Sequence, residues 1–181
     1  ANGTLQRLNS VPAMGADPCY IITDGKHVIT ANYSGGSISV FPVTTDGTLH
    51  PASDVIEFSG SGADKSRQDK PHLHCVSFSP DGKYMFANDL GTDYIYIFEV
   101  NKEATNENNE AFLSPANPPA VKLTPGSGPR HITFSPDGKR AYLITELSGD
   151  VVAFNYNDGQ LTAFQAIQAD SVGARGSADI H

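Results

Sequence analysis

The chain has 181 residues, with 12 Lys and Arg against 20 Asp and Glu, a formal net charge of −8 and a pI near 5.0. That balance argues against a nucleic acid or an anionic membrane surface as the main partner. At 39% hydrophobic, 18% charged and a mean hydropathy of −0.28, it has enough apolar residues for a core and too little charge for a disordered polyelectrolyte, and its apolar runs are strand-sized.

The N-terminal stretch, Ala1-Asn2-Gly3-Thr4-Leu5-Gln6, has neither the basic nor the apolar region of a leader, so the cytoplasm is the expected compartment. Residues 4–13 read as an outermost strand without the rest of its blade. Three repeats follow, aligned on Asp24-Gly25-Lys26, Asp81-Gly82-Lys83 and Asp137-Gly138-Lys139, whose aspartates stand 57 and 56 residues apart. Asp-Gly between short apolar runs predicts a hairpin, because Gly accepts the positive φ of a tight turn. The runs after these turns are 27–31 and 37–43, 84–87 and 94–100, and 140–145 and 151–156. Asp46-Gly47 and Asp158-Gly159 mark a further turn into 48–58 and 160–167, the predicted outermost strands. An Asn-, Glu- and Pro-rich insertion in the middle repeat, 101–119, is predicted to be a surface loop, and 177–181 to begin another strand.

Four short antiparallel strands per repeat, with little helical periodicity, describe an all-β chain of propeller blades. Residues 1–181 are expected to form one partial β-propeller domain: the end of one blade, three full blades and the start of the next. A propeller closes with roughly four to eight blades, so the sequence reads as a fragment of a larger propeller. Bare terminal sheets in such an arc would favour self-association.

The chemistry-bearing residues cluster ahead of the Asp-Gly turns. His74 and Arg130 hold the same place in successive repeats, seven residues before Asp81 and Asp137, on the innermost strand or the loop leading into it. Two different polar residues at one such position suggest a channel lining. Around them stand Arg67, Lys70, His72, Asn88, Asp89, His131 and Glu146. Each has a plainer reading: Arg130 and Glu146 as a structural ion pair, Asp89 as a turn cap, and His131 as an inward-packed or hydrogen-bonded residue of the sheet. Glu146 lies among Leu143, Ile144 and Leu147, so desolvation is expected to raise its pKa. His72 and His74 share a strand face, but no third ligand stands at a recognisable spacing, so neither a metal nor a cofactor is assigned. Cys19 and Cys75 match no metal or redox spacing and read as two small buried thiols.

Taken in this order on Asp-Gly-Lys repeats, the segments 67–74, 88–91, 128–131 and 145–147 resemble the seven-bladed lactonase family, which includes propeller-type 6-phosphogluconolactonases and fungal carboxy-cis,cis-muconate cyclases. The resemblance covers essentially the whole chain. It implies a seven-bladed parent of which this chain is roughly half, and a catalytic His, Arg and Glu at His74, Arg130 and Glu146. It also implies a further Arg from the next blade, beyond His181. Arg67, Lys70, His72, Asp89 and His131 become substrate-binding candidates, with Arg67 and Lys70 suited to a phosphate.

Three function classes stand open. The first is hydrolysis of a sugar-acid lactone, as in 6-phosphogluconolactonase of the pentose phosphate pathway: His74 or Glu146 activates water and Arg130 stabilises the oxyanion. The second is a lactonising cyclase or isomerase using the same three residues. The third is a noncatalytic propeller scaffold. The Pro71-His72-Leu73-His74 run favours the lactonase. Its partner would be a small-molecule sugar lactone rather than a nucleic acid or a membrane.

Overall fold

The computed structural model describes residues 3–104, 110–169, 172–173 and 175–181. Among these residues there are twelve strands: β1 (Pro18–Thr23), β2 (His27–Asn32), β3 (Ser37–Pro42), β4 (Asp54–Glu57), β5 (Leu73–Phe78), β6 (Tyr84–Asp89), β7 (Tyr94–Val100), β8 (Leu113–Lys122), β9 (Pro129–Phe134), β10 (Arg140–Thr145), β11 (Asp150–Asn157) and β12 (Gln160–Gln168). They form three four-stranded antiparallel sheets, each running in sequence order from an inner to an outer strand. Among the described residues no helix is long and apolar enough to cross a membrane.

The repeat is visible in turn chemistry. Ser79 Oγ donates to Asp81 Oδ1 (2.6 Å), which also accepts the Lys83 N–H (3.1 Å), while Tyr84 N–H bonds back to Ser79 Oγ (3.0 Å). Ser135, Asp137, Lys139 and Arg140 repeat this with distances of 2.6, 3.0 and 3.0 Å. The first repeat keeps only the Asp24 part, accepting from Lys26 N–H at 2.8 Å, because its turn is shorter. Residues 24–27 separate the ladder pair Thr23↔Val28, whereas 79–84 and 135–140 separate Phe78↔Met85 and Phe134↔Ala141. The first turn therefore has two residues fewer, and aligning it on Asp-Gly displaces β1 by two positions.

The sheets pack through their inner strands, β1 against β5 and β5 against β9. One apolar cluster, including Ile29, Val40, Leu73 and Met85, fills the space between the first and second sheets, and another, with Phe86, Ile95, Leu143 and Phe154, joins the second to the third. Each such fully buried side chain contributes about 1.5–3 kcal/mol relative to exposure.

Four expectations need correction. Residues 4–13 form no strand; they attach through Asn9, whose side chain donates to Leu49 O (2.8 Å) and accepts from Leu49 N (3.0 Å). The first sheet's outer strand is only Asp54–Glu57, because Thr44 and Asp46 tie 44–48 into a turn. Part of the 101–119 insertion is strand β8 despite three prolines, tolerated because an outermost strand needs only one hydrogen-bonding edge; 105–109 lie outside the described residues. Residues 177–181 are not in a strand; Asp179 lies against His131 of β9, and His181 against Asp179.

Candidate active site

Each inner strand breaks register at the same place. The ladder skips between Pro18 and Tyr20, between Leu73 and Cys75, and opposite Ile144 and Thr145, where Pro129 and His131 pair. The skipped residues are Cys19, His74 and Arg130. A β-bulge re-aims the side chain it carries, and here it sets three residues at one equivalent position. Cys19 is thus the counterpart of His74, a relation hidden by the shorter first turn. Cys19 is an exposed residue, not the expected buried one, with Sγ 3.4 Å from both Leu73 O and His74 O. Cys75 is buried, and that burial pushes its thiol up to about 12.

Glu146 is the hub. It follows β10, and its Oε1 accepts from Arg67 Nη2 at 2.5 Å while its Oε2 accepts from Arg130 Nε at 2.9 Å. The His74 Nε2 stands 3.8 Å from Oε2, beyond hydrogen-bond reach. Burial works to raise the Glu146 pKa, yet the hydrogen bond and charge of Arg67, followed by Arg130 and His74, pull it below its ordinary value. The expected rise is therefore reversed, because the apolar neighbours in sequence are not the neighbours in space. Arg67 is also held by Tyr33, whose hydroxyl lies 3.4 Å from Nη2. Tyr33 and then Glu146 raise the pKa of this guanidinium further.

The imidazoles differ. Burial, then the Arg130 charge, lowers the His74 pKa to about 4, so its ring is neutral at physiological pH. Its Nδ1 is buried without a partner. The His131 Nδ1 meets Asp179 Oδ1 at 2.5 Å, and Asp179 Oδ2 meets His181 Nε2 at 2.8 Å. The two rings of His74 and His131 stand edge to face, 5.3 Å between centroids.

The other candidates are placed differently. Asp89 is fully buried and accepts from His72 N (2.6 Å), Gly91 N (2.9 Å) and Thr92 Oγ1 (2.6 Å), capping the turn after β6. His72 stacks on Tyr33 and bonds to Tyr33 O (3.2 Å) and Asp69 (3.1 Å). Lys70 Nζ reaches Ser34 O at 2.7 Å. Among the described residues no group of three or more His, Cys, Asp and Glu side chains is arranged to hold a metal ion. A cleft of about 570 Å³ opens beside the hub, lined in part by Asp64, Arg67, Gly126, Glu146 and Arg175.

Sequence reasoning missed Tyr33, Asp93, Arg175 and the pairing of Asp179. Tyr33 follows Asn32 as Glu146 follows Thr145, and these two precursors pair with Pro18 and Pro129, so in-register comparison of β2 with β10 would have found it. Asp93 is buried, with Oδ1 accepting from Gln68 Nε2 (2.7 Å) and Gly128 N (2.9 Å) and Oδ2 from Gly126 N (2.7 Å). It ties the loop carrying Arg67 to the one leading into Arg130.

The family described as lactonase, 7-bladed beta-propeller, matches residues 1–181. The chain belongs to this lactonase family. Within it, the chain is 36% identical to a 6-phosphogluconolactonase of Bacillus subtilis over 172 residues, 93% of this chain and 46% of that protein. A solved structure of a proposed 6-phosphogluconolactonase from Bacteroides fragilis is 60% identical with a TM-score of 0.96, over 99% of this chain and 50% of that one. A periplasmic gluconolactonase of Pseudomonas aeruginosa is 38% identical with a TM-score of 0.80, over 91% of this chain and 46% of that one. This lactonase-family chain thus spans about half the length of the relatives it matches.

Proposed function

We propose that this lactonase-family chain carries the site of a lactone hydrolase, a carboxylic-ester hydrolase acting on a sugar-acid lactone such as 6-phosphogluconolactone. The observation that carries the reading is the pair of guanidiniums, Arg67 and Arg130, held on one ionised carboxylate, Glu146, beside the neutral His74. Attack of water on a lactone moves negative charge onto the carbonyl oxygen, and a cation fixed in advance stabilises that charge without reorganising. Arg130 is the cation, four-fifths buried; Glu146 fixes it through Nε, leaving its terminal nitrogens for the oxyanion. Glu146 is then an anchor rather than the base. His74 walls the same carboxylate without adding a further positive charge.

Arg67 is more exposed and lines the cleft with Arg175, so a substrate phosphate is the natural occupant of that side, with Lys70 as a further candidate. The names of the relatives support a gluconic-acid lactone, phosphorylated or not. Two unpaired cysteines, Cys19 and Cys75, support a reducing compartment, the cytoplasm.

The test is hydrolysis of 6-phosphogluconolactone and gluconolactone by the intact protein. Arg130→Ala is expected to lower the turnover number by about 10²–10³-fold. Arg67→Ala should act mainly on KM for the phosphorylated lactone. Wild-type hydrolysis no faster than the spontaneous rate, or undiminished hydrolysis by Arg130→Ala, would return the channel to a binding role.

A further inference from the structure

Lactone hydrolysis needs a group that takes a proton from the attacking water and returns one to the departing ring oxygen. Two imidazoles adjoin Arg130, and their surroundings suit them unequally. His74 has its Nδ1 buried without a partner and its Nε2 3.8 Å from Glu146, beyond hydrogen-bond reach, so no hydrogen bond fixes which nitrogen carries its proton. Burial and Arg130 also make it a weak base. His131 has the opposite arrangement. Its Nδ1 is bonded to a carboxylate, which fixes the tautomer with the proton on Nδ1. Its Nε2 has no partner among the described residues, so that lone pair is not engaged. A nucleophile or base oriented by a hydrogen-bonded third group is the recurrent logic of acyl-transfer sites.

We infer that His131, oriented by Asp179, is the proton carrier of the proposed lactone hydrolysis. Water oxygen bonds to the lactone carbonyl carbon, one water proton passes to His131 Nε2, and the carbonyl electron pair moves onto the oxygen facing Arg130. Collapse breaks the acyl carbon–ring oxygen bond, and the ring oxygen takes the proton back from His131, giving the open hydroxy acid. Asp179 is a positioning residue that also stabilises the imidazolium between the two steps. The His131 hydrogen bond holds the Asp179 carboxyl down at about 2, so the partner is ionised throughout the working range. The other ionisable groups about His131 are Tyr20 on β1, ring to ring at 5.0 Å, His74 and Cys75 on β5, Arg130 beside it on β9, and His181 on the far oxygen of Asp179. Tyr20 and Cys75 are pushed up to about 12 and stay neutral, which leaves Asp179 as the nearest anion.

The inference rests on the lactone-hydrolase reading, and the kinetics of variants of the intact protein separate the two. His131→Gln is expected to lower kcat by at least about 10²-fold with little change in KM. In Asp179→Asn the carboxylate that orients the ring is gone, so kcat falls at nearly unchanged KM, and Asp179→Glu restores it. His74→Gln lowers kcat less than His131→Gln does. Wild-type hydrolysis that survives His131→Gln, or a kcat that falls in His74→Gln and not in Asp179→Asn, overturns the role of the dyad alone. A wild-type protein that hydrolyses neither lactone overturns the hydrolase reading and the dyad with it.

Discussion

His74 links the site to the stability of the fold. Its ordinary value is 6.5 and burial with the Arg130 charge brings it to about 4. Above pH 6.5 the ring is neutral folded and unfolded and contributes no pH dependence; between 6.5 and 4 the unfolded chain takes up a proton that the folded ring refuses, so stability falls as pH falls through that window. The full effect is about 3 kcal/mol at most. Glu146, held below its ordinary value, adds stability that is present above the usual carboxylate range and is lost as pH drops further. The thermal midpoint should therefore decline from pH 7 to pH 4, and His74→Gln should flatten the part above the carboxylate range; an unchanged slope in that variant would show that the ring is not the titrating group. The sequence pointed to His74 and Arg130 because they recur seven residues before Asp-Gly turns, and to Glu146 through the family resemblance. It did not point to Asp179, whose part comes from side-chain reach to β9, and Tyr33 was missed although it stands nine residues after Asp24 as Glu146 does after Asp137. The direction of the Glu146 shift was likewise out of reach, since Arg67 lies 79 residues away.

At the scale of elements, the hairpins β1–β2, β5–β6 and β9–β10 were legible from Asp-Gly and alternating apolar residues, as was the outer strand β12 after Asp158-Gly159, whereas the outer strands β4 and β8 were not. Strand β8 carries Pro115, Pro118 and Pro119, a composition that reads as loop unless its place at a sheet edge is known. The close approach behind the site was also invisible. A Cβ on Gly91 would lie 1.9 Å from Lys70 O and 2.8 Å from His72 N, backbone atoms of the segment that leads from Arg67 into β5. Gly91→Ala should force that segment away and cost about 3 kcal/mol, read as a lower urea midpoint at unchanged m-value. A midpoint equal to wild type would mean that the segment yields freely. The three turns after the second strands are related by their left-handed residues, Gly36, Asp93 and Gly149, with φ of 59°, 60° and 76°. Only the middle one carries a side chain. Asp93 accepts that conformation and uses its carboxylate to hold Gly126 and Gly128.

In the whole molecule the apolar residues are not all enclosed. Ile21 on the first sheet is 65% exposed, and Phe164 and Ile167 on the third are 52% and 54% exposed. A groove of about 550 Å³ on the first sheet, lined by Tyr20, Ile21, Val28 and Phe41 among others, continues this surface. Such faces favour association. The 181-residue chain should sediment as a concentration-dependent mixture larger than a monomer, and the double variant Ile21→Ser, Phe164→Ser should shift it toward monomer. A single monomeric boundary at all concentrations would count against that role for the two faces. The sheets converge on a simpler device, the skipped residue of each inner strand. A thiol, an imidazole and a guanidinium occupy one backbone address, and the bulge that aims them does so whatever side chain it carries. Exchanging one for another would change what the channel binds without moving a strand, so in a molecule built this way the chemistry of the centre and the architecture around it are free to drift apart.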